Sequence, residues 1–123
     1  MGKKILLVDD ERRILDILGK SLSKEGFKVF TATDGESCLK LAQEEAPDLI
    51  VLDIMMLGMS GATVSAKLRD NEKTKNIHII FLTGLFYKEE SGNKDIDNSE
   101  NEFISKSSDL NTQINQIKKA LDD

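Results

Sequence analysis

The sequence predicts an α/β protein in which a five-stranded parallel sheet is covered by helices on both faces. Three short segments, 5–8, 49–52 and 77–82, are almost entirely apolar. Apolar runs without polar alternation are typical of strands that are buried on both faces, as in a parallel sheet. Segments with helical spacing of apolar residues lie between these runs. Regular alternation of strands and helices predicts a doubly wound parallel sheet.

The first half of the chain predicts two strand–helix pairs. After the first strand, a helix is expected from residue 11 onward, and Gly26 marks its end. The segment 28–33 is more polar than the other strands, which favours a position near an edge of the sheet. Asp34 is a predicted N-cap of the second helix, and Pro47 marks where that helix ends.

The second half predicts the remaining elements with one irregular segment. A short third helix is expected after Gly61, and residues 102–105 are a weaker candidate for the fifth strand. Segment 88–102 holds six acidic residues, two lysines and one large apolar residue, so we expect a short or irregular fourth helix there. A last helix, starting at Ser107 or Ser108, is predicted from an apolar stripe of Leu110, Ile114, Ile117 and Leu121.

Length and composition exclude several classes of function. The 123 residues suit one domain spanning 1–123, and 32% charged with 39% hydrophobic residues suits a globular protein. One cysteine and one histidine exclude an internal disulfide and a His/Cys zinc site. The net charge of −5 disfavours direct nucleic-acid binding. No apolar stretch approaches the ~18 residues of a membrane span, and no signal peptide is recognisable, so we expect a cytoplasmic location.

Reactive side chains follow the predicted strands at the point where each strand ends. Asp9 and Asp10 follow the first strand, Asp53 follows the third, Thr83 the fourth and Lys106 the fifth. In open parallel sheets, ligands bind outside the carboxyl ends of the strands, where the strand order reverses. The flavodoxin-like order 2-1-3-4-5 would make the first and third strands neighbours. The three aspartates are then expected to converge.

Three carboxylates in one pocket repel one another, so positive charge must offset them. Lys106 supplies one charge, and a divalent cation would supply the rest. Oxygen ligands of this kind favour Mg²⁺, which commonly binds one or two carboxylates together with a phosphate oxygen. Such a site suits phosphoryl transfer: Asp53 is the candidate nucleophile, and the Thr83 hydroxyl is a candidate donor to a phosphate oxygen.

With these residues at the predicted strand ends, the chain resembles the receiver domain of a two-component response regulator across essentially its full length. Each matching motif is weak alone, but all of them occur in order and each lies at a predicted strand end. The motifs are Val8-Asp9-Asp10-Glu11, Leu52-Asp53-Ile54-Met55-Met56 with Gly58 and Gly61, Leu82-Thr83-Gly84, and Phe103-Ile104-Ser105-Lys106.

The resemblance implies a role for each residue. Asp53 would accept the phosphoryl group beside Lys106, and Thr83 with Phe103 would form a conformational switch. Mg²⁺ would bind Asp10 and Asp53 directly, Asp9 through water, and the backbone carbonyl of Met55. The implied donor is a phosphohistidine on a sensor histidine kinase or a histidine phosphotransfer protein. A downstream effector or a second copy of the chain is a further implied partner, and the module is not an enzyme.

The sequence departs from the family pattern at a few positions. Leu57 stands where the family often has proline, four residues after the phosphoacceptor. Ser107 stands where a cis proline commonly follows the lysine. A cis bond before a residue other than proline costs ~2.5–4 kcal/mol, so we expect a trans bond, which could move Lys106. Gly84 stands where alanine is common, and segment 88–102 lacks the usual amphipathic helix.

Two other functions remain open from the sequence. The departures allow a degenerate receiver that acts as a phosphorylation-independent interaction domain. A small phosphatase with an aspartate nucleophile is the other alternative. Such an enzyme uses a second acid two residues after the nucleophile to protonate the leaving group. Met55 occupies that position and cannot donate a proton, which disfavours the phosphatase.

Overall fold

The computed structural model describes residues 2–84 and 102–122. Five parallel strands form one sheet in the order β2-β1-β3-β4-β5. This confirms the predicted fold class and strand order, including the edge position of the second strand. The strands are β1 (Lys4–Val8), β2 (Lys28–Ala32), β3 (Leu49–Asp53), β4 (His78–Thr83) and β5 (Glu102–Ser105).

Helices cover both faces of the sheet. Within the described residues they are α1 (Arg12–Lys24), α2 (Gly35–Glu45), α3 (Gly61–Arg69) and α4 (Leu110–Asp122). The Asp34 side chain accepts a hydrogen bond from the Ser37 amide and so caps α2, as predicted. The helix predicted within 88–102 concerns residues that, apart from Glu102, lie outside the described part of the chain.

The start of α4 corrects the sequence prediction. The helix begins at Leu110, and Asp109 caps it by accepting a hydrogen bond from the Thr112 amide at 2.8 Å. Ser107 does not cap the helix because its amide and hydroxyl are hydrogen-bonded to the Ser105 hydroxyl. The carboxylate nearest the helix therefore takes the cap position, one residue after Ser108.

The core lies on both faces of the sheet, which explains the continuous apolar runs. Alternate residues of each central strand point to opposite faces, so both sets must be apolar. Strand residues Leu6, Val8, Ile50, Leu52, Ile79 and Phe81 pack with α2 and α3, whereas Ile5, Leu7, Leu49, Val51, Ile80 and Leu82 pack with α1 and α4.

The carboxyl ends of the strands meet at one edge of the sheet. Val8 lies opposite Leu52, and Asp53 lies opposite Leu82 in the parallel register. Each of β1, β3 and β5 leads from this edge into the loop before the next helix. Within the described residues, no helix is both long and apolar enough to cross a bilayer.

Candidate functional site

Two aspartates lie at the end of β1, and each has a different environment. Asp9 is fully buried, and its Oδ1 accepts a hydrogen bond from the Glu11 amide at 2.9 Å. Its own amide donates to the carbonyl of Ala32 at the end of β2, which fixes the backbone. Asp10 is exposed, and its Oδ2 accepts a hydrogen bond from the Leu57 amide at 3.3 Å. The pair therefore offers one buried and one accessible carboxylate.

Asp53 is the last residue of β3 and is 1% exposed. Its Oδ1 accepts a hydrogen bond from the Met55 amide at 3.3 Å. Residues 2–84 and 102–122 supply no hydrogen-bond donor to its buried Oδ2. A buried carboxylate oxygen without a donor is costly, and such groups mark candidate functional sites.

The Lys106 ammonium reaches into this pocket. Its Nζ lies 3.0 Å from Asp9 Oδ2, 3.3 Å from Asp53 Oδ1 and 3.5 Å from Glu11 Oε1. Burial opposes the charged form of Lys106, but Asp9 and Asp53 outweigh that effect, so the pKa of the lysine is raised. Lys106 thus stays charged and offsets part of the acidic repulsion.

The three aspartates form one compact cluster. One carboxylate oxygen from each of Asp9, Asp10 and Asp53 lies within 4.8 Å of the other two. Burial, followed by the Asp9 charge, raises the pKa of Asp53 to about 6, although Lys106 acts in the opposite direction. An all-oxygen cluster with excess negative charge suits a hard divalent cation. The donor set of the three aspartates therefore fits a metal.

The other predicted site residues lie around this cluster. Thr83 is buried at the end of β4, and its hydroxyl donates to the Gly84 carbonyl at 3.0 Å. Phe103 on β5 is half-buried against Phe81, with ring centroids 5.8 Å apart. The Met55 side chain is exposed, so a metal-binding role for this residue would rest on its backbone carbonyl.

The loop after β5 keeps Lys106 at the pocket without a cis proline. The Lys106–Ser107 bond is trans, as expected. The Lys106 amide donates to the Thr83 carbonyl at 2.8 Å, which ties the loop to the end of β4. The Gln113 side-chain amide, from α4, lies within hydrogen-bonding distance of the carbonyls of Ser105, Lys106 and Ser108. These contacts hold the loop while the Lys106 ammonium reaches Asp9 and Asp53.

The sequence interpretation assigned no role to three groups at this site. Glu11 is a third carboxylate near Lys106, and its place directly after two aspartates was a signal that could have identified it. The Leu57 amide binds Asp10, and the only sequence signal is that residue 57 is not proline. Gln113 lies in the first turns of α4, where no sequence pattern indicated its contacts with the loop.

Comparison with known proteins agrees with this arrangement. Residues 5–118 match the family model described as the response regulator receiver domain. Response regulator PleD of Caulobacter vibrioides is 41% identical over 85 residues, which cover 69% of this chain and 19% of that protein. The alkaline phosphatase synthesis transcriptional regulatory protein PhoP of Bacillus subtilis is 49% identical over 72 residues, covering 58% of this chain and 30% of PhoP.

A solved structure supports the same assignment at full length. The structure of a response regulator from Desulfuromonas acetoxidans superposes with a TM-score of 0.82 and 27% identity, covering 98% of this chain and 97% of that one. The two curated relatives are much longer than the segments that align here. Fold, acidic cluster and family match coincide on the same residues. This chain belongs to the response regulator receiver domain family.

Proposed function

We propose that this chain accepts a phosphoryl group on Asp53 from a phosphohistidine and changes conformation as a result. Receiver domains of response regulators interact with histidine kinases or phosphotransfer proteins. The donor proposed here is therefore a sensor histidine kinase or a histidine phosphotransfer protein. In this role the chain is a signalling module of a two-component or phosphorelay system, and it does not turn over a free substrate.

One observation carries the proposal: Lys106 Nζ lies between Asp9 and Asp53, while the second oxygen of Asp53 has no donor within the described residues. The ammonium binds Oδ1 of Asp53 at 3.3 Å and leaves Oδ2 for a reacting group. A carboxylate placed beside a fixed cation is suited to attack phosphorus, because positive charge stabilises the transferring group. Asp53 is therefore assigned as the nucleophile.

The proposed phosphoryl transfer needs no proton donor from this chain. An electron pair on Asp53 Oδ2 forms the new oxygen–phosphorus bond, which gives an acyl phosphate. The phosphorus–nitrogen bond of the partner breaks, and its electron pair stays on the ring nitrogen. The histidine leaves as neutral imidazole when its other ring nitrogen carries a proton. The reaction requires ionised Asp53, since a protonated carboxyl is a poor nucleophile.

Mg²⁺ is the proposed cofactor of this reaction. Asp10 and Asp53 would hold it directly, Asp9 through water, and Met55 through its backbone carbonyl. Its charge would offset the negative charge on the phosphoryl group. The three-carboxylate cluster supports this assignment because its donors are all oxygen atoms.

The proposed response to phosphorylation involves Thr83 and Phe103. The Thr83 hydroxyl donates to the adjacent Gly84 carbonyl, and a phosphoryl oxygen on Asp53 would compete for that donor. The backbone carbonyl of Thr83 also accepts a hydrogen bond from the Lys106 amide, so a change at this residue would act on the loop after β5. Phe103 lies two residues before the last residue of β5, Ser105. These links support Thr83 and Phe103 as the switch pair.

The proposal is tested by phosphorylation with acetyl phosphate or phosphoramidate and Mg²⁺, followed by intact mass measurement. Wild-type protein and the surface control Asp48→Asn should gain one phosphate-sized adduct that hydroxylamine removes. Asp53→Asn, or wild type in EDTA, should gain none. An equal adduct on Asp53→Asn would reject Asp53 as the acceptor. No adduct on wild type would favour the alternative, a phosphorylation-independent interaction domain.

A further inference from the structure

A backbone amide connects the two loops that carry the acidic cluster. The Leu57 N–H, in the loop after β3, donates to Oδ2 of Asp10, in the loop after β1, at 3.3 Å. The Leu57 side chain is 88% exposed, so the residue contributes little packing. This contact requires a residue other than proline at position 57, because proline has no amide hydrogen. The main contact that Leu57 makes with the site is therefore through its backbone.

Asp10 depends on this contact more than the other two aspartates depend on any single partner. Asp9 is held by the Glu11 amide and by Lys106, and Asp53 is held by the Met55 amide and by Lys106. Asp10 is exposed, and within the described residues its carboxylate has the Leu57 amide as its hydrogen-bond donor. Without that donor the short side chain could rotate away from the cluster.

The hydrogen bond leaves Asp10 able to bind a cation. A carboxylate has two oxygens and about four acceptor positions, so one N–H at Oδ2 does not occupy Oδ1. Hydrogen bonds to metal-binding carboxylates fix their orientation, and loss of such a bond typically weakens metal binding by about 10- to 100-fold. A donated hydrogen bond from a neutral amide and a cation at the other oxygen can therefore act together.

We propose that the Leu57 amide is a positioning group for a divalent cation, because it orients Asp10 toward Asp9 and Asp53. The inference rests on the proposed function in one respect, which is that the acidic cluster binds Mg²⁺. It adds a role for a residue at which the sequence departs from the family pattern. The role belongs to the amide and not to the leucine side chain.

The test compares two substitutions at the same position. Leu57→Pro removes the amide hydrogen, whereas Leu57→Ala keeps it and removes most of the side chain. Mg²⁺ and Mn²⁺ are titrated calorimetrically into metal-free protein, with thermal melts to verify folding. We expect about tenfold weaker binding for Leu57→Pro and wild-type binding for Leu57→Ala. Equal or tighter binding by folded Leu57→Pro overturns the inference.

A second measurement does not depend on the proline variant. Hydrogen exchange of the Leu57 amide is measured by NMR in metal-free wild type and in Asp10→Ala. Loss of the acceptor should speed exchange of this amide by about fivefold, while the Met55 amide, bonded to Asp53, should not change. Unchanged exchange at Leu57 overturns the inference. Absence of cation binding by wild type is a separate result, because it rejects the metal in the proposed function as well.

Discussion

The Lys106 ammonium lies 3.3 Å from Oδ1 of Asp53, although the two residues are far apart in the chain. Asp53 closes β3, and Lys106 follows β5, with β4 between them. Parallel topology brings both to the carboxyl edge. Burial and the Asp9 charge outweigh this contact, so the pKa of Asp53 is raised although Lys106 lies beside it.

The first prediction concerns how the stability of the metal-free protein depends on pH. Burial and the Asp9 charge raise the pKa of Asp53 to about 6, above its ordinary value of 3.8. The folded protein therefore binds this proton more tightly than the unfolded chain does. The resulting stabilisation is fully present below about pH 4 and is lost as pH rises through about 6.

Asp53→Asn mimics the neutral carboxyl and should remove this pH dependence. In EDTA the variant should be more stable than wild type at pH 8, by on the order of 3 kcal/mol, and the difference should shrink toward pH 4. Urea unfolding at several pH values measures it. Asp48→Asn serves as the surface control. A difference that does not vary with pH would contradict the raised pKa of Asp53.

The second prediction separates a site ion pair from a surface ion pair. Lys106→Met leaves Asp9 and Asp53 buried without their cation, and it should lower the free energy of unfolding by about 3 kcal/mol at pH 7 in EDTA. Lys118→Met breaks a solvent-exposed contact with Glu25, also at 3.0 Å, and should cost under ~1 kcal/mol. Equal losses in urea unfolding would contradict a buried role for Lys106.

The fold was predictable because burial on both faces leaves a clear mark in the sequence. Strands β1, β3 and β4 appear as apolar runs, and their ends carry the aspartates and Thr83. Topology then accounts for the convergence of residues that are distant in the chain. The start of α4 was less predictable, because Ser107, Ser108 and Asp109 can all cap a helix. In the structure, the Thr112 amide donates its hydrogen bond to the Asp109 side chain, so Asp109 is the cap.

The supporting contacts of the site were not predictable for a different reason. The Leu57 hydrogen bond uses a backbone amide, so almost any residue at position 57 could make it. Gln113 binds three backbone carbonyls, which carry no side-chain signature. Sequence patterns report side chains and their periodicity, whereas these contacts depend on the path of two loops. The roles of the site residues remain predictions that the experiments above address.

The third prediction concerns the close approach of α3 to β3. A Cβ atom at Gly61 would lie 2.3 Å from the Asp53 carbonyl oxygen, so Gly61→Ala must move backbone at the site. We expect a loss of about 1–3 kcal/mol in stability and slower phosphorylation by acetyl phosphate. At Gly84 no described atom lies within 4 Å of the added carbon, so Gly84→Ala should change stability by under ~0.5 kcal/mol. Similar unfolding curves for both variants would refute the steric argument.

The fourth prediction concerns the loop that holds Lys106. In Gln113→Glu a carboxylate replaces the amide that faces the carbonyls of Ser105 and Ser108 at 3.0 and 3.2 Å. The ionised side chain has no hydrogen to donate, so we expect a loss of about 2 kcal/mol and slower phosphorylation, because Lys106 is held less firmly. Gln116→Glu makes the same change at an exposed position of α4 and should have little effect.

The pH dependence of the stability of Gln113→Glu distinguishes the loss of donated hydrogen bonds from a change in side-chain packing. A glutamic acid below pH ~4.3 carries a hydrogen and can donate to one carbonyl again, so the stability of Gln113→Glu should move toward that of wild type as pH falls. Urea unfolding at pH 4 and pH 7 measures this recovery. If the deficit were the same at both pH values, packing of the side chain and not its donated hydrogen bonds would hold the loop.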